Sequence, residues 1–214
     1  MSNRSLAGVR TAVKRSWRSA LVATLLVAPA GCGGSTTTPS PATLHAEVGD
    51  PAGDALPDAS DRVSPDLVRG TVDVSAGTIT FTFQFAPGTL DPSTARLTLD
   101  LDVDQNPSTG IRTADGLGVE YAVDMRGNAS QASVLKAVST GTCTATDACY
   151  LPQGMAPLSV LADRMTVTIP LALIGSADGR LNYRVRAYAF RLEAVSQVIT
   201  DVMPDVAMAP AHVP

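Results

Sequence analysis

The stretch 95–126 constrains the fold more than any other part of this 214-residue chain. It begins with strict alternation, because every second residue from Leu97 to Val103 is apolar and the residues between them are polar. A period of two is typical of a β-strand that turns one face to the core. The other face of this strand then carries a row of carboxylates, which are Asp100, Asp102 and Asp104.

This carboxylate row leads into a loop from Gln105 to Gly118 that is rich in turn-forming residues, and Glu120 follows the loop. Like charges so close together need compensation, and Ca²⁺ is a hard cation that takes roughly six to eight oxygen ligands. The pattern therefore predicts a structural calcium site, and the alternative is a solvated acidic face at the end of an edge strand. The site is not an EF-hand, because Gln105 and Ile111 stand where that loop requires Gly and Glu.

The rest of the folded part also reads as short strands. Alternation is clearest in Thr78–Phe85, and the Ser-Ala-Gly turn before it predicts a hairpin with 67–74. A second hairpin is predicted from 158–161 and 165–169. Sustained helical periodicity is absent, and turn signals recur about every ten residues. We therefore predict an all-β fold, an antiparallel, jelly-roll-like β-sandwich.

A long strand is predicted near the end of the chain, over 181–192. Its outward positions include Arg184, Arg186 and Tyr188. These side chains could form a binding face, but we interpret them as a solvated sheet face, because charged side chains are mostly exposed.

The first 31 residues have the composition of a signal peptide. Residues 1–18 carry five basic residues and no acidic one, and the apolar run 19–30 is too short to span a membrane. The run ends in Ala-Gly-Cys at Cys32, which resembles the lipobox of bacterial lipoproteins, although Pro29 replaces the usual leucine. The resemblance implies that Cys32 is lipidated and anchors the chain at the bacterial cell envelope, on the periplasmic or extracellular face. The alternative is a plain secreted protein that loses Cys32 or leaves it unpaired.

Three regions follow from this interpretation: a signal peptide over 1–31, a Gly/Ser/Thr/Pro tether over 32–43 and one β-sandwich domain over 44–214. Without the signal peptide, 11 basic and 20 acidic residues remain, a net charge near −9. This charge argues against nucleic acid and anionic membrane surfaces as partners. The membrane is then contacted only through the lipid anchor.

Cys143 and Cys149 are the two other cysteines of the chain. They are close in sequence, and an exported protein meets an oxidising compartment, so we predict a disulfide between them. A loop this short constrains little chain entropy, and its role would be to hold a hairpin tip. A zinc site is disfavoured because no histidine lies nearby.

Four short motifs occur together: DPAGD at 50–54, LDLDVDQNPSTG at 99–110, GVEY at 118–121 and PD at 204–205. The combination resembles bacterial secreted β-sandwich domains related to family-nine carbohydrate-binding modules and DOMON domains. The resemblance implies structural calcium near one edge of the sandwich. On matching positions it implies ligands at Asp102, Asp104 and Glu120, the last where aspartate is commoner, with Asp50, Asp54 and Asp100 as further candidates.

The predicted function is a non-catalytic, calcium-stabilised binding or adhesion module. The resemblance suggests a carbohydrate ligand, and a surface protein is the other candidate partner. Sugar recognition commonly uses flat aromatic faces, yet Trp17 is the only tryptophan and lies in the predicted signal peptide.

Two other function classes have less support in the sequence. A hydrolytic, glycan-active enzyme would need paired carboxylates, but Glu120 and Asp124 would lie about 13 Å apart along a strand. The only histidines are His45 and His212, near the ends of the mature chain, and common catalytic motifs are absent. A haem-binding, DOMON-type electron-transfer domain would need an axial ligand, for which the sequence offers the methionines Met125, Met155 and Met165.

Overall fold

A computed structural model describes residues 43–57, 63–138, 149–176, 178–191, 196–205 and 208–214. The predicted signal peptide, Cys32 and the tether up to residue 42 lie outside these ranges, and so does Cys143. Lipidation and the disulfide between Cys143 and Cys149 therefore stay predictions. Within the described ranges, helices that are long and apolar enough to cross a membrane are not found.

The described chain is built from strands, with one short 3₁₀ turn at Leu171–Leu173. The strands are β1 (Leu44–Gly49), β2 (Leu67–Ser75), β3 (Thr78–Phe85), β4 (Ala95–Asp102), β5 (Ile111–Arg112), β6 (Gly118–Val119), β7 (Tyr121–Arg126), β8 (Gln131–Ala137), β9 (Tyr150–Leu161), β10 (Arg164–Pro170), β11 (Leu181–Arg191), β12 (Ser196–Met203) and β13 (Ala211–Val213).

Antiparallel pairing arranges these strands in two layers. One layer has the order β1-β2-β3-β10-β9, and the other has the order β9-β8-β7-β4-β11-β12, with β13 also on β11. Strand β9 belongs to both, because its first part pairs with β8 and its last four residues, from Leu158, pair with β10. The sheet is therefore nearly closed, and the all-β prediction is confirmed. The short pair β5-β6 lies outside this path.

The core lies between the two layers and follows the period-two pattern. In β3 the alternate residues from Ile79 to Phe85 are fully buried, and in β4 the alternate residues from Leu97 to Leu101 are buried too. The rings of Phe81 and Tyr183 meet edge to face at 5.3 Å, which joins β3 of one layer to β11 of the other. Burying one such large apolar side chain stabilises the fold by about 1.5–3 kcal/mol.

Both predicted hairpins are present, and two other expectations need correction. Strand β9 begins at Tyr150, well before the predicted start at 158, because Pro152 and Gly154 obscure the alternation in this stretch. The solvated-face interpretation is wrong for Arg184, which is fully buried. Its guanidinium pairs with Asp115 from the β5–β6 connection and donates to the Met208 carbonyl at 2.7 Å.

Candidate metal centres

Asp102, Asp104 and Glu120 converge at the end of β4, and we call them the loop cluster. One carboxylate oxygen from each of the three lies within 4.8 Å of the others. Asp102 is the last residue of β4, and Glu120 lies just before β7, the antiparallel neighbour of β4. The Glu120 amide donates to the Leu101 carbonyl at 3.0 Å, so strand pairing itself brings Glu120 next to Asp102.

The loop that follows β4 folds back over these carboxylates. The Asn106 amide donates to Oδ1 of Asp102 at 3.0 Å and to Oδ1 of Asp104 at 2.9 Å. The Val103 amide donates to Oε2 of Glu120 at 2.9 Å. The Thr109 hydroxyl lies 2.6 Å from Oε1 of Glu120 and 3.0 Å from both carboxylate oxygens of Asp104. Backbone and hydroxyl donors thus orient the carboxylates toward one point.

Burial and charge both act on the loop cluster. Asp102 is 1% exposed, Glu120 is half-buried and Asp104 is exposed. Burial raises the pKa of Asp102 and of Glu120 above their ordinary values, and the negative charge of Asp104 adds to this increase. Hydrogen bonds to each carboxylate oppose the increase without cancelling it. Among the described residues, no ion pair reaches any of the three carboxylates.

Two glycines allow the loop to approach the strands this closely. A Cβ at Gly118 would lie 2.5 Å from the Asn106 carbonyl oxygen, and a Cβ at Gly110 would lie 2.3 Å from that of Val119. Gly110 also has a φ of +63°, in the left-handed region that favours glycine. The Ser-Thr-Gly and Gly-Val-Glu segments of the sequence therefore fit together by main-chain contact.

Asp100, another predicted ligand, lies outside the loop cluster. Its side chain is buried on the outward face of β4 and pairs with the guanidinium of Arg186 from β11. Arg186 also lies 3.5 Å from Asp115, so two arginines and two aspartates form a balanced set there together with Arg184. Asp100 is thus compensated by arginine.

Asp50 and Asp54 lie in a different place, in a group that we call the edge cluster. It consists of five aspartates, in which Asp54 is shared between two triads with carboxylate oxygens within 4.8 Å of one another. The members are Asp50, Asp54, Asp66, Asp201 and Asp205. The structure therefore places three predicted ligands in the loop cluster and two, Asp50 and Asp54, in the edge cluster, whereas Asp100 lies in neither.

The elements of the edge cluster come from the two ends of the sheet path. Asp50 follows β1, Asp66 precedes β2, Asp201 lies within β12 and Asp205 follows it. The Leu67 amide donates to Oδ2 of Asp201 at 2.5 Å, which connects the start of β2 to β12 directly.

Sequence reasoning missed Asp66, Asp201 and Asp205 as ligands. A signal for Asp201 is available, since it interrupts the mostly apolar run 198–203. Asp205 belongs to the Pro-Asp motif at 204–205, to which the sequence alone assigns no role. Asp66 has no local signal, because only the fold brings it to β12.

Comparisons with known proteins add no relative to this picture. No protein-family model matches the chain, and a search of curated proteins found no match either.

Proposed function

We propose that this chain is a non-catalytic, calcium-stabilised β-sandwich module that binds a partner at the bacterial cell envelope. The partner is a glycan or a surface protein. The proposal includes anchoring through a lipid on Cys32 and structural Ca²⁺ at Asp102, Asp104 and Glu120. It also includes the disulfide between Cys143 and Cys149.

The main support for the proposed calcium site is the number of carboxylates around one hydroxyl group, that of Thr109. The Thr109 hydroxyl has one proton, yet it contacts both Glu120 and Asp104. Asp102 lies beside them, and none of the three has an arginine or lysine partner in the described chain. A hard divalent cation supplies the missing positive charge, and oxygen-only ligands favour Ca²⁺.

The alternative functions have less support from the same contacts. Asp124, the predicted partner of Glu120 in a glycosidase-like pair, forms ion pairs with Arg96 and Arg126. The two guanidinium groups occupy its two carboxylate oxygens. Met125 and Met165 are fully buried in the hydrophobic core, which is the usual role of methionine and does not favour haem ligation.

The experiment compares the melting temperature of the full chain in excess EDTA and in millimolar Ca²⁺. We expect Ca²⁺ to raise the melting temperature by several degrees, since it binds the folded state. Asp104→Asn and Glu120→Gln should reduce this increase. Asp73→Asn is the matched control, because Asp73 is an exposed carboxylate paired with His45. An increase that is equal in all four proteins would contradict a role for the loop cluster.

The binding part is tested separately with a glycan panel and with envelope extracts, each in Ca²⁺ and in EDTA. Calcium-dependent retention of a glycan or of one surface protein on the wild-type chain is expected. Turnover of any glycan in the panel would overturn the non-catalytic assignment.

A further inference from the structure

The edge cluster gathers five carboxylates where two unpaired sheet edges come together. Strands β1 and β12 stand at opposite ends of the sheet path, and the described structure shows no ladder between them. The contacts that cross this gap include the Leu56 amide, which donates to the Thr200 carbonyl at 2.7 Å, and Thr200 Oγ1, which donates to the Pro65 carbonyl at 3.3 Å. We propose that the edge cluster is a second Ca²⁺ site, independent of the loop cluster, which holds these edges together.

Oxygen atoms without hydrogen-bond partners point to a cation. Asp66 is 5% exposed, and its Oδ2 accepts a hydrogen bond from the Gly53 amide at 2.8 Å. Its Oδ1 is buried and has no hydrogen-bond partner in the described chain. Both carboxylate oxygens of Asp50 are buried without such a partner as well. A buried carboxylate oxygen left unpaired costs more than a lost neutral hydrogen bond, so these oxygens need a ligand of opposite charge.

The charges of the edge cluster also favour a bound cation. None of the five aspartates forms an ion pair within the described residues. Burial, with the neighbouring carboxylates, raises the pKa of Asp50 to about 7. Burial also raises the pKa of Asp201 to about 6, although two amide hydrogen bonds lower it. Without a cation the folded cluster thus holds mutually repelling groups, whereas a divalent ion would be attracted by all of them.

The chemistry of the ligand atoms in the edge cluster favours one type of metal. The cluster consists of aspartates alone, so it lacks the nitrogen and sulfur ligands that zinc and the later transition metals prefer. Mg²⁺ keeps several waters and demands a small octahedron, whereas Ca²⁺ accepts many carboxylates in irregular geometry. The two triads share Asp54, and their carboxylate oxygens, with water, fit the oxygen-only coordination of Ca²⁺.

The cluster also has an entry path. A cavity of about 340 Å³ opens beside it, and Asp54, Asp201 and Asp205 lie in its wall with Leu56 and Ile199. Asp54 is exposed, while Asp66 and Asp201 are buried. The ion can therefore enter from the exposed side, and water can complete its coordination there.

Bound Ca²⁺ would connect segments that are far apart in sequence. Asp50 and Asp54 come from the β1–β2 connection, and Asp201 comes from β12. In this role, calcium would also stabilise the contact between the two edges of the sheet. The role does not depend on the loop cluster.

The test counts calcium ions by isothermal titration calorimetry on the metal-free full chain. We expect two equivalents of Ca²⁺ for the wild type, one for Asp66→Asn and one for Asp104→Asn. Each substitution removes one charge and keeps the side-chain shape, so the two variants are matched controls for each other. The combination of both substitutions should bind none.

Each result separates the two sites. Two equivalents retained in Asp66→Asn would overturn the edge site and leave the proposed function intact. If Asp66→Asn loses one equivalent of Ca²⁺ and Asp104→Asn loses none, the result would support a site at the edge cluster and contradict a site at the loop cluster. If Asp66→Asn fails to fold by circular dichroism, Asp50→Asn replaces it, because Asp50 is only half-buried and accepts no hydrogen bond in the described chain. The same loss of one equivalent is expected there, and retention of both again overturns the inference.

Discussion

The hydroxyl of Thr109 lies 2.6 Å from Oε1 of Glu120, although the residues are separated by the β5–β6 pair. The same hydroxyl lies 2.8 Å from the Asn106 carbonyl and 3.0 Å from Asp104. One hydroxyl proton is therefore placed among three acceptors, two of which carry negative charge. Thr109 is thus the main hydroxyl donor between two carboxylates of the loop cluster.

Replacing Thr109 by valine should destabilise the metal-free protein. Valine has nearly the same shape, so the change removes the hydroxyl that contacts Glu120, Asp104 and the Asn106 carbonyl, and little else. Hydrogen bonds to charged groups contribute about 1.5–3 kcal/mol, and a loss of this size is expected in EDTA. Urea unfolding would measure it. In saturating Ca²⁺ the loss should shrink, because the ion then compensates the carboxylates; an equal loss in both conditions would contradict this role.

Gly110→Ala should weaken both stability and Ca²⁺ binding at the loop cluster. An alanine Cβ there would meet main-chain atoms of Val119 and Glu120 within 3 Å, and Gly110 has a positive φ as well. Strained backbone of this kind costs about 1–3 kcal/mol. Gly116→Ala is the control, because Gly116 has a φ of +83° but open space around it. A similar calcium affinity in the two variants would show that the close approach of Gly110 is not needed.

Asp115→Asn should be the most destabilising single charge removal in the described chain. Arg184 is fully buried, and its partner Asp115 has a side chain only 5% exposed. Burial would raise the pKa of Asp115, but a hydrogen bond from Thr113 and the adjacent Arg184 guanidinium hold it below its ordinary value. Removing one partner of a buried pair leaves an unpaired charge and costs about 3–5 kcal/mol.

The unfolding midpoint in urea measures this loss. Glu47→Gln is the control, since Glu47 and Arg69 form an exposed ion pair and little change is expected there. Equal midpoints for the two variants would contradict the structural role of the buried pair.

Much of the fold could be predicted from local sequence pattern. Alternation in Thr78–Phe85 and in the run from Leu97 to Leu101 identifies strands because a period of two depends only on neighbouring residues. Adjacent strands joined by short turns then follow, and both predicted hairpins are present. The loop cluster can be predicted for the same reason, since its carboxylates lie at the end of one strand, in the loop that follows and directly after the short β5–β6 pair.

The remaining features depend on pairing between distant segments. Asp66 and Asp201 are brought together only when β12 approaches the start of β2. Asp100 is compensated because β11 pairs with β4 and places Arg186 beside it. Within a few residues of Asp100 or Asp66, no sequence feature distinguishes a carboxylate that pairs with arginine from a metal ligand. Sequence alone therefore includes Asp100 among the candidate ligands and leaves Asp66 out.

Stability of the metal-free protein should fall as the pH rises from about 4 to about 7. The pKa of Asp50 is about 7 in the folded chain and that of Asp201 is about 6, both above the ordinary aspartate value of 3.8. Between these values the folded state binds more protons than the unfolded state, and the free energy of unfolding then decreases with rising pH.

Calcium should reverse this dependence, because the ion and the protons compete for the same carboxylates and Ca²⁺ affinity increases as the pH rises. Urea unfolding between pH 4.5 and 7.5 would give the slope of the unfolding free energy against pH, once in EDTA and once in millimolar Ca²⁺. Asp50→Asn removes the largest of the two pKa shifts and should flatten the slope in EDTA. A slope in EDTA that persists unchanged in Asp50→Asn would mean that other groups set the pH dependence.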